Sequence, residues 1–341
     1  MNITPNIGIR ICGTGSSVPA KTVTNDDMAT IVETSDEWIS TRTGIRKRHF
    51  ADGETNLSLG AEAAERALEM AGISREEIGA VICATITPDH IVPSQACLLQ
   101  KKLGLPEQIL AFDICAACTG FLYSLHTARS LLCTMPEKKY ALVVASELLS
   151  RVTNFADRNT CVLFGDGAGA AVIALDENSR YAFDCGAQGD TEVLYCPKSY
   201  PNTNPFAESQ SEQPVQQVHM EGRAVYSFAV HALSGCISRV SEAAGGFPQH
   251  YVCHQANARI LQAAAKQLGE PMDKFFLDIA DYGNTSAASI AIALDDCVRS
   301  GGIQRGESLI LAGFGGGLSY GAAYLLSLIH ISEPTRQAEI S

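Results

Sequence analysis

Residues 109–132 read ILAFDICAACTGFLYSLHTARSLL: a short apolar run rich in branched and aromatic side chains, a CAAC sequence, then an amphipathic stretch. The run has the composition of a buried strand, and the amphipathic stretch has the period of a helix starting at the second cysteine. A strand-to-helix elbow of this kind exposes one side chain at the helix N-terminus, where the macrodipole favours a thiolate. Cys118 is therefore a candidate nucleophile, set against the plainer reading of a small buried apolar cysteine. Cys115 and Cys118 also have the spacing of a redox pair. That motif belongs to small redox domains, whereas this pair sits in the middle of a 341-residue chain.

The same alternation runs outward in both directions. IGIRICG from Ile7, AVICAT from Ala80, YALVVAS from Tyr140, HYVCHQ from His250 and SLILAGFG from Ser308 read as further strands. Residues 56–71, 94–104, 118–133, 223–243, 256–268 and 286–300 read as helices, which gives the βαβ rhythm of an α/β protein. GDGAGAAVIAL from Gly165 and GGGLSYGAAYLL from Gly315, 150 residues apart, are each a Gly-rich turn feeding an apolar strand. A duplicated α/β domain explains this echo and the chain length together; coincidence between two Gly/Ala-rich segments is the alternative. The expected division is a first half over 1–176 and a second over 177–326. Pro201, Pro205 and Pro214 among polar residues mark 197–217 as a surface loop or lid. SLIHISEPTR, Ser327 to Arg336, looks like read-through of a sequencing-library adaptor, so 327–341 is expected to be a non-native tail.

Composition excludes several classes. At 46% hydrophobic, the chain can bury a sizeable core without disulfide or metal staples. Its 12 cysteines are diluted well below the ~8–10% of a disulfide scaffold. The 25 Lys and Arg against 37 Asp and Glu give a net charge of −12, and no segment concentrates enough basic residues for a nucleic-acid groove. Any anionic partner must meet a local basic patch. The N-terminus lacks the pattern of a signal peptide, and no uncharged run approaches the ~18–20 residues of a membrane helix. A cytoplasmic protein with reduced thiols is expected. GTGSSVP from Gly13 runs into Pro19 without the third glycine of a dinucleotide loop, and GDGAGA lacks the Lys-Ser/Thr of a P-loop. Both read as tight turns where backbones approach closely.

A thiol nucleophile needs partners. His254 follows strand HYVC much as Cys118 follows ILAFDI, and Asn284, in GNTSAAS, stands beside Gly283 ahead of a helix. A hydrogen-bonded core histidine and a simple N-cap are the bland alternatives. Cys, His and Asn at three strand-end or helix-start positions are less easily accidental.

AACTGF around Cys118, HQANARI from His254, GNTSAAS from Gly283, GDGAGAA from Gly165 and GFGGG from Gly313 together resemble β-ketoacyl-acyl carrier protein synthase III. DEWISTRTGIRKRHF from Asp36, TPDHIVPS from Thr87 and DRNTCVLFGDGAGAA from Asp157 extend the resemblance over about residues 1–326. It implies a thiolase-like fold of two similar α/β halves in α-β-α-β-α layers, and a homodimer. It also implies decarboxylative condensation of an acyl-CoA primer with malonyl-ACP through an acyl-cysteine, initiating fatty-acid synthesis with no cofactor or metal. Cys118, His254 and Asn284 would be catalytic, with Cys118 and Gly316 backbone N–H groups as oxyanion donors and Phe314 shaping the pocket. Trp38, Arg42 and Arg158 would meet the adenine end of CoA, Asn257 the pantetheine arm, and Arg259 and Lys266 the acidic carrier protein. Ser227 and Gln267 stand where some members have docking lysines. Val92 stands where many have a Phe that reaches into the partner's acyl pocket, which leaves room for bulkier primers. A secondary-metabolite ketosynthase or acyltransferase of the same fold is the alternative, and a CxxC redox protein or acyl-binding module a more distant one.

Overall fold

Two β-sheets carry the chain, and their strand orders repeat. The computed structural model describes residues 7–198, 204–206, 214–304 and 306–326. The first sheet has the spatial order Gly8–Ser17, Asp166–Asp176, Tyr140–Leu148, Ile78–Ala84, Leu110–Ile114. The second runs Ala182–Ala187, Ser319–Leu326, Ser308–Gly315, His250–Cys253. Read in these orders, both begin with two antiparallel pairings and continue with a parallel one. An isolated parallel bridge from Tyr251 to Phe275 stands where the first sheet has its fifth strand. The Gly165 and Gly315 segments thus feed equivalent strands, Asp166–Asp176 and Ser319–Leu326.

Between the sheets lie two helices, Gly120–Leu132 and Ala288–Arg299. One apolar core joins them to both sheets: Ile11, Ile82 and Val143 on one side, Phe121, Leu125, Ile290 and Leu294 in the middle, Val252, Leu311 and Leu325 on the other. Asn56–Ala71 and Gln95–Lys102 cover the outer face of the first sheet, while Gly222–Ala244 and Ala258–Leu268 cover that of the second. The five layers follow from the pattern of the strands. Ile78–Ala84 and Ser308–Gly315 are apolar on both faces, so each needs a helix on either side.

All six expected helices are present to within about two residues at either end, the usual scatter of helix limits. The glycines of GTGSSVP, however, lie inside strand Gly8–Ser17, and Gly167 and Gly169 of GDGAGA inside strand Asp166–Asp176, not in turns. A side chain at Gly13 or Gly15 would collide with the carbonyls of Ala67 or Ala63 on the covering helix, so close approach is their reason but a turn is not. Residues 204–206 and 214–217 are mostly exposed. The expected tail, 327–341, lies outside the described residues.

Candidate active site

A cavity of about 690 Å³ runs from Arg42, Arg223 and Tyr226 at its exposed end to Cys118, His254 and Asn284 at its buried end. Cys118 occupies a one-turn helix, Ala117–Thr119, directly ahead of Gly120–Leu132. Ala117 has φ 44, an outlier for a residue with a side chain, and this tight elbow delivers the next residue to the cavity. Gly315 backs onto Cys118: a Cβ there would sit 2.8 Å from the Cys118 Cβ and 3.2 Å from its Sγ. Burial pushes the Cys118 thiol up to about 12. The helix start alone would favour a thiolate, but removing the sulfur from water outweighs the dipole, so the resting group is a neutral thiol.

His254 leaves strand His250–Cys253 with its N–H bonded to Ala312 O at 2.8 Å. In the repeat, that strand matches Ile78–Ala84, so the counterpart of His254 is Thr85; the counterpart of the Cys118 elbow is the segment ahead of Ala288–Arg299, which carries Asn284. The His254 ring rests edge-on against Phe314, 5.3 Å between centroids, and burial alone pushes its pKa down to about 3. Its Nδ1 lies 2.6 Å from Ser289 Oγ, which itself accepts from Gln255 N at 3.3 Å. Among the described hydrogen bonds the Ser289 O–H has no acceptor other than Nδ1, so it is assigned as the donor there and the imidazole proton is assigned to Nε2.

Asn284 is fixed by its backbone: its N–H donates to Leu163 O at 2.8 Å and its carbonyl accepts from Gly165 N at 3.0 Å. Its Oδ1 accepts from Ser286 N at 2.9 Å, so the side chain has Nδ2 donors to offer the cavity. Gly313 backs onto His254 as Gly315 backs onto Cys118. Two residues along one strand span ~7 Å and face the same side, so Gly313 and Gly315 bring His254 and Cys118 to the same face of strand Ser308–Gly315. Gly316 lines the same end, beside Ala117.

At the outer end, the guanidiniums of Arg42 and Arg158 both lie over the Trp38 ring, at 4.7 and 4.8 Å from its centroid. Arg158 stacks there without lining the cavity and donates to Glu33 O at 3.1 Å. Asn257 lines the cavity but also caps helix Ala258–Leu268 through Oδ1 to Arg259 N, and donates through Nδ2 to Arg42 O. Arg259 and Lys266 are exposed on that helix and outside the cavity. Val92 is 84% exposed and lines no part of its own chain's cavity. Arg223 and Tyr226 carry no motif in the sequence, and Ser286 and Ser289 lie inside GNTSAAS without a role read for them there, yet all sit at the cavity or hold its residues. Cys115 and Cys118 are both free, and Cys118 is raised where a redox pair needs a lowered thiol. Among the described residues no group of three or more His, Cys, Asp or Glu side chains is arranged to hold a metal ion.

Residues 112–189 match the family profile described as 3-oxoacyl-[acyl-carrier-protein (ACP)] synthase III, and 248–326 match its C-terminal profile. A β-ketoacyl-[acyl-carrier-protein] synthase III from Clostridium acetobutylicum is 45% identical over 322 residues, 93% of this chain and 98% of that protein. One from Xanthomonas campestris is 44% identical over 323 residues, covering 93% and 97%. The crystal structure of the Aquifex aeolicus synthase III superposes with TM-score 0.84 at 40% identity, covering 94% of this chain and all of that one. The priming β-ketosynthase of the R1128 polyketide pathway superposes with TM-score 0.86 at 34% identity, covering 95% and 97%.

Proposed function

The chain belongs to the β-ketoacyl-[acyl-carrier-protein] synthase III family, and from that premise and the geometry of the cavity we propose how it initiates fatty-acid synthesis. It joins an acyl-CoA primer to malonyl-ACP, giving 3-oxoacyl-ACP, CoA and CO2. Cys118 sulfur attacks the primer thioester and CoA leaves. Malonyl-ACP then enters the emptied channel. As CO2 departs, charge develops on the malonyl thioester oxygen, and His254 Nε2–H and Asn284 Nδ2–H donate to it. The enolate carbon attacks the acyl-cysteine, whose tetrahedral oxygen meets the Cys118 and Gly316 N–H groups, and the sulfur leaves. One observation carries this reading: two donors, each with its other end tied down, share a cavity with a buried thiol. A neutral imidazole suits the task, because it donates from Nε2 without holding the malonyl carboxylate in an ion pair. The test is mass spectrometry: acetyl-CoA should leave one acetyl group on Cys118, and malonyl-ACP should then discharge it with release of CO2. An adduct that malonyl-ACP does not discharge would leave an acyltransferase instead.

Trp38 and Arg42 line the outer end, with Arg158 stacked on the same ring, and would meet the adenine and phosphates of CoA once a guanidinium gives up its place on the ring, while Asn257 offers its remaining amide hydrogen to the pantetheine arm. Arg259 stands in the first turn of its helix, where a cation opposes the dipole, so its place owes nothing to helix stability. It serves docking of the acidic carrier protein, with Lys266 seven residues on. Arg259→Glu should raise KM for malonyl-ACP more than for acyl-CoA, and the difference should shrink with salt, since exposed charges are screened over ~8–10 Å. Equal effects on both substrates would move Arg259 into the shared channel.

The chain is expected to act as a cytoplasmic homodimer; no described helix is long and apolar enough to cross a membrane. Support for the dimer lies at the outer strand of the first sheet, Leu110–Ile114, where Leu110 is exposed and where Ile91 and Val92 also face outward. Asp113 on that strand binds the amides of Gln95 and Ala96, a few residues after Ile91 and Val92, which ties the two exposed groups together. From there Val92 would enter the partner's acyl pocket. Val92→Phe should then lower kcat/KM for four- and five-carbon primers far more than for acetyl-CoA, because each buried methylene is worth about 0.8 kcal/mol. An unchanged ratio would remove Val92 from primer selection. The R1128 relative supports the second reading, a secondary-metabolite ketosynthase, which the same comparison of primers tests.

A further inference from the structure

The two proposed oxyanion donors stand on separate halves of the chain, and their spacing must be held by something between them. Cys118 N–H belongs to the one-turn helix Ala117–Thr119, entered through the strained backbone of Ala117. Gly316 N–H belongs to the turn at 316–318, between strands Ser308–Gly315 and Ser319–Leu326. Backbone ties one side of that turn: Asp190 N donates to Gly317 O and Gln188 N to Leu318 O, each at 2.7 Å. Gly316 O has a single donor among the described hydrogen bonds, Ser319 Oγ at 2.9 Å. On the other half, Ala116 O closes the elbow by accepting from Thr119 N at 3.1 Å, and it lies 2.8 Å from Thr119 Oγ1. The Thr119 and Ser319 hydroxyls, 200 residues apart in the chain, are 3.0 Å from each other. Both residues are buried, where a hydroxyl without a partner is costly.

Three contacts share two hydroxyl hydrogens here. Ser319 can donate to Thr119 and Thr119 on to Ala116 O, or Thr119 can donate to Ser319 and Ser319 on to Gly316 O. Ala116 O keeps its N–H donor either way, whereas Gly316 O is bare in the first case, so the second leaves neither carbonyl without a donor. We propose that the Thr119 and Ser319 hydroxyls form a strut across the two halves that sets the Cys118 and Gly316 N–H groups at the spacing the oxyanion requires. Neither residue lines the cavity, and each acts through the peptide that it holds, so both are positioning residues. Gly316 shows why such a hold matters. Two peptide planes meet there at a residue without Cβ; the strand end at Gly315 directs one, and the Ser319 hydroxyl directs the other. Gly317 follows with φ 143, a conformation that suits glycine, so no side chain of the turn fixes it before Leu318. A preorganised donor works by needing no movement as charge develops, so slack at Gly316 lowers rate and not binding.

The inference rests on the acyl-cysteine reading, and the experiment keeps the two apart. Rapid-quench mass spectrometry gives the rate at which acetyl-CoA acetylates Cys118, and infrared spectroscopy of the acetyl-enzyme, labelled at the acetyl carbonyl, gives the stretch of the thioester C=O. Ser319→Ala and Thr119→Val should each lower the maximal acetylation rate ~10-fold, short of the ~10²–10³-fold of losing a donor outright, at an unchanged half-saturating concentration of acetyl-CoA. Weaker hydrogen bonds to the acetyl oxygen should move the carbonyl stretch to higher wavenumber in both. Condensation from enzyme acetylated beforehand should slow by a similar factor, because its tetrahedral oxygen meets the same two donors. The double variant should be no slower than the slower single one, as two ends of one link require. Thr119→Ser, which loses a methyl group and keeps the hydroxyl, should match the wild type in rate and in stretch. A wild-type carbonyl stretch in Ser319→Ala, additive losses in the double variant, or Thr119→Ser as slow as Thr119→Val would each overturn the strut and leave only packing at these positions. Should one of the two single variants fail to fold, the other decides alone by rate and stretch. Absence of any acetyl group on wild-type Cys118 would instead defeat the reading beneath it.

Discussion

Cys118→Ala is expected to carry no acyl group after incubation with acyl-CoA and to make no condensation product, whereas His254→Ala and Asn284→Ala should still acylate Cys118 and then stall. The split follows from where each group acts. In the proposed mechanism the thiol forms the first bond, while the Nε2 and Nδ2 donors meet charge that appears only when CO2 leaves. Removing one preorganised donor of this kind costs ~10²–10³-fold, about 2.7–4 kcal/mol of transition-state stabilisation. The pH dependence of the second half-reaction gives an independent check. A histidine lowered to about 3 stays neutral through the whole ordinary imidazole range, so condensation from preformed acyl-enzyme should stay flat as pH falls past ~6.5. The same shift carries a stability cost in acid: the unfolded chain takes up a proton at this residue below ~6.5 that the fold refuses, so His254 destabilises progressively as pH falls from there toward 3. A His254→Ala variant that condenses at the wild-type rate, or a wild-type condensation limb near 6.5, would remove the neutral imidazole from the mechanism.

The three candidate catalytic positions were legible because each sits where an element begins or ends, and such positions follow from apolar periodicity. The serines were not. Ser286 and Ser289 lie inside GNTSAAS, where the pattern points to Asn284 and gives neither serine a role, and only the crossing of Ala288–Arg299 behind strand His250–Cys253 brings Ser289 onto His254. The fully buried carboxyl group of Glu147, on strand Tyr140–Leu148, was hidden for the opposite reason. YALVVASEL reads as a buried strand, and a carboxylate in such a run looks like its exposed end until Thr85 and Thr87, about sixty residues earlier in the chain, arrive from the parallel neighbour. The echo at Gly165 and Gly315 betrayed the duplication because both copies kept their glycines. The equivalence of His254 with Thr85 did not show, since strand pairing alone reveals it. The expectation of a thiolate at Cys118 failed on magnitude: a helix start shifts a thiol modestly, full burial by several units, and burial cannot be read from a spacing.

Gly169→Val should damage both the fold and the site, because the chain's halves meet there. Gly169 lies on Asp166–Asp176 with strands on both flanks, paired to Ser16 on one and Ala145 on the other. A Cβ at this position would stand 2.5 Å from the Ala291 Cβ and 2.8 Å from both Ala291 C and Ile292 N, the backbone of the buried helix Ala288–Arg299. The strand cannot yield without breaking two ladders, so the helix must move. Overpacking of a dense core costs typically 1–3 kcal/mol, and a branched side chain driven against backbone belongs at the upper end, about 3 kcal/mol. The displaced helix carries Ser289 and is preceded by Asn284 and Ser286, so the 2.6 Å contact of Ser289 Oγ with His254 Nδ1 and the 3.5 Å contact of Ser286 Oγ with Cys118 Sγ should lengthen together. Urea unfolding should show a lower midpoint at unchanged slope, and both half-reactions should slow. Gly189→Val is the control: Gly189 is exposed, and a Cβ there meets nothing within 4 Å, so stability and activity should hold. If Gly169→Val unfolds at the wild-type midpoint, then close contact between strand and helix is not what sets the height of the helix above the first sheet, and the alignment of Asn284, Ser286 and Ser289 must be fixed from the second sheet alone.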